Sequence, residues 1–289
     1  MRVEIDPKSG FCFGVVRAIT EAERALSLSG GEGEIVYSLG DIVHNRIEVQ
    51  RLEGLGLLPI SSDEMSRAMG RRLLIRAHGE PPVTYLMAKE LGIEIIDATC
   101  PVVSQLQQRV VRAYEMMREV GGTVVLLGKR GHAEVVGLTG QVEDRVWVVE
   151  REEDLEGVDF TSPIYFLSQT TQSISLFNHL AEVIRGRASE GVSVEVCDTI
   201  CRQVSSREGH LREFVSGFDL VIFVCGRKSS NGKVLFELCR EANPNCYNIE
   251  SEEELRAEWI EGVKSVGICG ATSTPAWLME RVAASIETI

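Results

Sequence analysis

The chain has 289 residues, 44% of them apolar and 25% charged, the composition of a globular protein with a sizeable core, in one large domain or two to three small ones. Thirty Lys and Arg against 43 Asp and Glu give a formal charge of −13, which argues against the basic face that broad nucleic-acid binding needs and against adhesion to an anionic membrane. Small anionic ligands stay open, because backbone N–H groups, hydroxyls and imidazoles bind phosphate without net positive charge.

The N-terminus, MRVEIDPKSG, has no basic region followed by an apolar one, so no signal peptide is expected. The longest apolar runs are far shorter than the ~20 residues needed to span a bilayer, and a cytoplasmic location is the expectation. Val3–Ile5 reads as a first strand, and Val15, Ile19, Ala22 and Leu26 then form a helical stripe. Strand-like runs follow at EIVYSLG (34–40), RLLIRAH (72–78) and IEIIDA (93–98), and Val103, Leu106, Val110, Tyr114 and Met117 make a second helical stripe. Further runs are TVVLLG (123–128), IYFLSQ (164–169), VSVEVC (192–197), DLVIFVCG (219–226) and SVGICG (265–270). Several are apolar nearly throughout, as strands covered on both faces are. Strands alternating with helices predict an α/β fold with mostly parallel sheets.

The loops after these strands echo three times. His44 stands four residues beyond Gly40, His132 four beyond Gly128, and Ser230 four beyond Gly226. A later set holds His78 in RAHGEPP, Thr170 and Thr171 in LSQTTQS, and Ser273 in GATSTP. The third set is Cys12, Cys100 and Cys201, each on a turn before a helical stretch. The order predicts three small α/β units facing one centre, over residues 1–99, 100–200 and 201–289, with the N-terminal strand completing the third. Parallel sheets bind ligands beyond the carboxyl ends of their strands, where all these loops fall.

Eight cysteines occur without any C-x-x-C pair, which excludes zinc ribbons and the usual ferredoxin spacings. A disulfide framework is not expected in a chain of this length without a secretion signal. Cys225, Cys239 and Cys269 sit in apolar strands or a helical stretch and read as small core residues. Cys12, Cys100 and Cys201 precede helices, whose N-terminal dipoles stabilise thiolates. Three thiolates at one centre repel one another unless a cation compensates. The residues leave two sites open: zinc with a fourth ligand, or a four-iron cluster with one iron free of protein ligands.

Of five histidines, His44, His78 and His132 fall on carboxyl-end loops, while His179 and His210, in helical patterns, read as surface residues. Ser229, Ser230, Asn231 and Ser273 stand near helix N-termini, where capping is the plain account of each. Together with the imidazoles they would also make a cradle for phosphate oxygens. Glu134, two residues after His132, would hold a raised pKa in a closed cavity and could deliver a proton, with Thr170 and Thr171 as a hydroxyl relay.

The segments GFCFGVVRAI, DIVHNRIEVQRL, AHGEPP, IIDATCPVV, GHAEVVGLTGQ, SQTTQS, DTICRQVSSRE, RKSSN and GATSTPAW resemble, in this order, the motifs of the 4-hydroxy-3-methylbut-2-enyl diphosphate reductase family. That resemblance implies a cloverleaf of three α/β units around a central cavity. It implies a [4Fe-4S] cluster on Cys12, Cys100 and Cys201, whose open iron takes the substrate hydroxyl. Reductive removal of that hydroxyl gives isopentenyl and dimethylallyl diphosphate, the last step of the non-mevalonate isoprenoid pathway. It further implies diphosphate binding by His44, His78, His132, Ser229, Ser230, Asn231 and Ser273, proton supply by Glu134 with Thr170 beside the hydroxyl, and ferredoxin or flavodoxin as electron donor. The sequence departs from the family in reading HAE for the common HPE, in the SSREGH stretch, and in an extra thiol at Cys197, read as packed. Quinolinate synthase-like and diphthamide-synthesis enzymes share the three-cysteine architecture but differ in their polar loops. A non-catalytic iron–sulfur sensor would not need Glu134 or the cradle, and a zinc hydrolase would be colourless.

Overall fold

The computed structural model describes residues 1–28 and 35–288; Glu34, the expected first residue of the second strand, lies outside the described residues. The described helices are α1 (Phe13–Leu28), α2 (Arg46–Glu53), α3 (Pro82–Glu90), α4 (Pro101–Glu119), α5 (Ala133–Thr139), α6 (Ile174–Arg187), α7 (Arg202–Val215), α8 (Ser230–Ala242), α9 (Ala257–Ile260) and α10 (Ala276–Thr288). Among the described residues twelve strands form three four-stranded sheets. In the first, β1 (Arg2–Ile5), β12 (Ser265–Gly270), β10 (Leu220–Val224) and β11 (Cys246–Ile249) lie side by side in that order, all parallel. The second runs β3 (Leu57–Ile60), β2 (Val36–Leu39), β4 (Arg72–Ile75), β5 (Glu94–Asp97), with β2–β4 and β4–β5 parallel. The third runs β7 (Trp147–Val149), β6 (Thr123–Leu127), β8 (Ile164–Ser168), β9 (Val194–Val196), again parallel throughout. The α/β class and the parallel sheets expected from the sequence are therefore present.

The three sheets share one topology. With β1 counted after β12 in the first sheet, the leading strand of each set (β10, β2 or β6) is flanked by the second on one side and the third on the other, and the fourth closes the far edge. The chain thus reverses direction across the sheet between the first and third strands: β2 and β4, β6 and β8, β10 and β12. That crevice is where open parallel sheets bind ligands. The fourth strand of each set, β5, β9 or β1, leads into Cys100, Cys201 or Cys12.

By contacts the chain forms two compact units: Met1–Ile35, Asp41–Pro59 and Arg202–Ile289 in one, Val36–Gly40 and Ile60–Cys201 in the other. In the first, β10 is buried at every position. Val221 and Phe223 pack against Leu211, Leu235 and Leu238 of α7 and α8, and Leu220, Ile222 and Val224 against Leu278, Val282 and Ile286 of α10. The period of two in a run apolar throughout is what a strand covered on both faces requires. In the second unit, Val125, Leu127 and Phe166 meet Phe177, Leu180 and Ile184 of α6, while Val124, Leu126 and Leu167 meet Leu106, Val110 and Met117 of α4. Phe166 stacks on Phe177 with centroids 4.8 Å apart. Each such buried side chain contributes about 1.5–3 kcal/mol.

Helix α1 places Ala18 and Ala25 in the core beside Ile19 and Ala22, whereas Val15 and Leu26 of the expected stripe are only half-buried. The second stripe is as expected: Val103, Leu106, Val110 and Met117 are buried and Tyr114 half-buried. Pro101 opens α4 at its first position, and Cys100 is the N-cap. Three strands absent from the sequence reading, β3, β7 and β11, are all sheet edges.

His210 corrects an expectation. It is not a surface residue: its side chain is 24% exposed, and Nε2 lies 2.7 Å from Oδ1 of the buried Asp6. Asp6 also accepts from the Ser9 hydroxyl at 2.6 Å and the Lys8 N–H at 3.1 Å. This carboxylate thereby fastens the segment that leads from β1 to Cys12. His179, as expected, is exposed, paired with Glu152.

Candidate functional site

In the first unit the expected residues gather on the turns after β10 and β12. Ser229 caps α8, its Oγ accepting from the Gly232 N–H at 3.0 Å. The capping account is therefore correct for Ser229, but the hydroxyl has a second partner: Ser273 Oγ donates to it at 3.1 Å, in a buried contact. Asn231, 4% exposed, donates through Nδ2 to Thr272 Oγ1 at 2.7 Å, while its Oδ1 is buried without a hydrogen-bond partner. A buried amide oxygen left so costs about 1–3 kcal/mol. The Thr272 carbonyl accepts from the Cys12 N–H at 3.1 Å, so one short turn holds both the Asn231 amide and the cysteine turn. Thr272 was not among the residues expected from sequence. Nothing but its place inside GATSTP could have signalled it.

His44 precedes Asn45, the N-cap of α2, which accepts from the Glu48 N–H at 3.1 Å. A Cβ on Gly226 would collide with the His44 carbonyl oxygen, so only glycine lets the turn after β10 pass against this backbone. The buried Glu48 carboxylate accepts from Trp277 Nε1 at 3.1 Å and from Arg51, which also reaches Glu23. These bonds hold the Arg51 guanidinium well above its ordinary pKa and anchor α2 behind the His44 turn. A cleft of about 370 Å³ is lined by His44, Asn45, Gly226 and the oppositely charged Lys228, Arg227, Asp41 and Glu250.

In the second unit, the crevice between β6 and β8 brings His132, Glu134 and Thr170 together. Register pairs Leu127 with Ser168, so the turns leaving these strands start side by side. His132 caps α5, its Nδ1 accepting from the Glu134 N–H at 3.2 Å. Glu134 is 2% exposed, and Thr170 binds it twice: the backbone N–H donates to Oε1 at 2.7 Å and the hydroxyl to Oε2 at 2.8 Å. The Thr170 carbonyl in turn accepts from the Cys201 N–H at 2.8 Å. The ring of His78 stands edge-on to that of His132, centroids 5.3 Å apart. On the neighbouring sheet the Cys100 N–H donates to the Ala77 carbonyl at 3.0 Å, which ties the cysteine turn to the His78 turn. Thr171 bonds Gln169 rather than Glu134, so the relay to the carboxyl consists of Thr170 alone.

Burial pushes the Glu134 carboxyl up to about 7, against the two Thr170 bonds that pull it down. Such a group holds and releases protons near neutral pH. Because the folded chain keeps this proton to higher pH than the unfolded one, its stabilising effect is full below about pH 4.5 and is lost as pH rises through about 7. Across that window we expect the wild type to lose roughly 3 kcal/mol relative to Glu134→Gln, read as urea-unfolding free energies of both proteins over the pH series. Parallel curves for the two proteins would contradict the burial-raised carboxyl.

The thiols divide cleanly. Cys225, Cys239, Cys246 and Cys269 are buried in the core of the first unit. Burial pushes the Cys225 thiol up to about 12 and raises Cys246 strongly; Cys269 is raised by its bond with Cys239 and by burial. Such thiols stay protonated and are poor metal ligands. Cys12, Cys100 and Cys201 are half-buried on turns before α1, α4 and α7. As half-buried cysteines on turns, each has the donor chemistry that an iron–sulfur cluster takes. Cys197 is half-buried, its sulfur 2.8 Å from Arg109 Nη1.

Three like parallel sheets, with hydroxyls, imidazoles and a protonatable carboxyl at the strand ends, define a small-ligand α/β enzyme. Residues 3–287 match the model of the LytB protein family. The 4-hydroxy-3-methylbut-2-enyl diphosphate reductase of Parabacteroides distasonis is 52% identical over 289 residues, covering 100% of this chain and 98% of that one. That of Porphyromonas gingivalis is 50% identical over 288 residues, with 99% of each covered. A solved structure of (E)-4-hydroxy-3-methyl-but-2-enyl diphosphate reductase, the terminal enzyme of the non-mevalonate pathway, superposes with a TM-score of 0.73 at 36% identity, covering 100% of both chains. The reductase from Plasmodium falciparum gives 0.85 at 26% identity, over 98% of this chain and 86% of that one. The chain belongs to the LytB family, and it is a reductase.

Proposed function

We propose that this enzyme converts (E)-4-hydroxy-3-methylbut-2-enyl diphosphate to isopentenyl diphosphate and dimethylallyl diphosphate. In this reading the C–O bond breaks, two electrons enter, one proton completes water and one is added to carbon. The carrying observation is the buried Glu134 carboxyl, protonatable near neutrality and bonded twice by Thr170. Glu134 holds the proton at its carboxyl oxygen, and the Thr170 hydroxyl orients it toward the substrate hydroxyl. His44, His78, His132, Ser229, Ser230, Asn231 and Ser273 bind the diphosphate through imidazole, hydroxyl and amide donors. The Asn231 amide and the Ser273–Ser229 pair support this, since both are fixed before a ligand arrives and leave the second Asn231 N–H and the Ser229 hydroxyl hydrogen to donate.

Cys12, Cys100 and Cys201 would hold a [4Fe-4S] cluster, one per chain, which when bound supplies electrons and a Lewis-acidic iron for the hydroxyl. Ferredoxin or flavodoxin is the proposed electron donor and the cytoplasm the proposed location. No described helix is long and apolar enough to cross a membrane. The segments 1–99, 100–200 and 201–289 are proposed as three α/β units, each organised about one of the three like sheets. The test is turnover: protein purified without oxygen and given a strong one-electron reductant should consume the allylic diphosphate and release both C5 diphosphates. A fully iron-loaded protein that leaves the substrate untouched would contradict the assignment.

A further inference from the structure

His132 offers the diphosphate one of two imidazole nitrogens, and its surroundings determine which one carries the proton. The side chain of Gln169 is fully buried between the turns after β6 and β8. Its Oε1 accepts from the backbone N–H of Lys129 at 3.1 Å, and a backbone N–H can only donate. That contact fixes the orientation of the amide, so the NH2 end must face the other way. There Nε2 lies 3.1 Å from Thr171 Oγ1 and 3.1 Å from His132 Nδ1. The Glu134 N–H also points at His132 Nδ1, at 3.2 Å. Two donors converging on one ring nitrogen exclude a proton there.

We infer that Gln169 is a positioning residue that locks His132 in the neutral Nε2–H tautomer, so that its imidazole meets a diphosphate oxygen as a hydrogen-bond donor. This rests on the proposed diphosphate role of His132. The same amide bridges the turn bearing His132 and the turn bearing Thr170, while the two Thr170 bonds to Glu134 do not pass through it. Gln169 lies inside the SQTT segment, but there the threonines alone drew notice.

The test reads nitrogen protonation directly. Full-length protein carrying 15N-histidine is examined by long-range proton–nitrogen NMR at about pH 7, the His132 signals being assigned by their loss in His132→Gln. Nδ1 should appear as an unprotonated imidazole nitrogen and Nε2 as a protonated one. A protonated Nδ1, whether in the other tautomer or in imidazolium, overturns the inference, and this measurement needs no Gln169 variant to fold. Gln169→Glu replaces the donor with an acceptor and should move a proton onto Nδ1; signals identical to the wild type would also overturn it. Gln169→Met should raise KM for the allylic diphosphate roughly tenfold or more while kcat holds, the loss of one hydrogen bond to a charged group. A fall in kcat at unchanged KM would place Gln169 in support of Glu134 alone and overturn the role through His132. Inorganic pyrophosphate added to the wild type separates the two readings. If Nδ1 is unprotonated but His132 ignores pyrophosphate, the diphosphate role fails and the tautomer assignment stands.

Discussion

Glu134→Gln should lower kcat by about 10²–10⁴-fold with little change in KM. The substitution is close to isosteric. A glutamine Oε1 can still accept from the Thr170 N–H, and its Nε2 can donate to the Thr170 hydroxyl, which reverses one bond and deletes neither. What disappears is a proton that can leave. The carboxyl, raised to about 7, stands close to the working pH, where a general acid is most effective. Steady-state kinetics without oxygen, alongside thermal unfolding to show that the variant is folded, reads the effect. An unchanged kcat would contradict the proton role of Glu134.

Cys201→Ser should lose most of its iron and with it at least about a hundredfold in turnover, because a hydroxyl does not replace a thiolate as a cluster ligand. The backbone around it should survive, since the Cys201 N–H keeps its bond to the Thr170 carbonyl. The informative comparison is Cys246→Ala. Cys246 lies in the core of the first unit with its thiol held protonated by burial, so its removal should cost packing but no iron. Iron per chain in the two variants distinguishes a site defined by turn cysteines from one drawn from the eight at large. Full iron in Cys201→Ser would show that the ligand set is wrong.

The strands most legible in the sequence were those buried on both faces. LVIFV has no polar position to blur the signal and TVVLL only its first residue, and both stand inside their sheets. β3, β7 and β11 escaped because they are edges, only three or four residues long and partly exposed. β3 carries Pro59, a residue that sheets confine mostly to their edges. Helix α1 shows a similar blur, its deepest positions being alanines that an apolar stripe drawn from larger residues passes over.

At the site, spacing located the turns, because a repeated unit must place its strand ends at repeated intervals. Spacing carries no information on depth. That Glu134 is buried and Lys228 exposed depends on which elements cover each turn. Residues acting through others were the least visible. Gln169 and Thr272 touch functional side chains with polar atoms that any turn could display, and only their partners reveal the role. His210 failed for the same reason: a helical pattern does not show the buried Asp6 beneath it.

The central claim is one iron–sulfur cluster on three turn cysteines, and metal analysis tests it most directly. Protein purified without oxygen should be coloured, with about four iron and four acid-labile sulfide per chain and a cluster spectrum that bleaches on reduction. A colourless protein carrying zinc and no sulfide would contradict it.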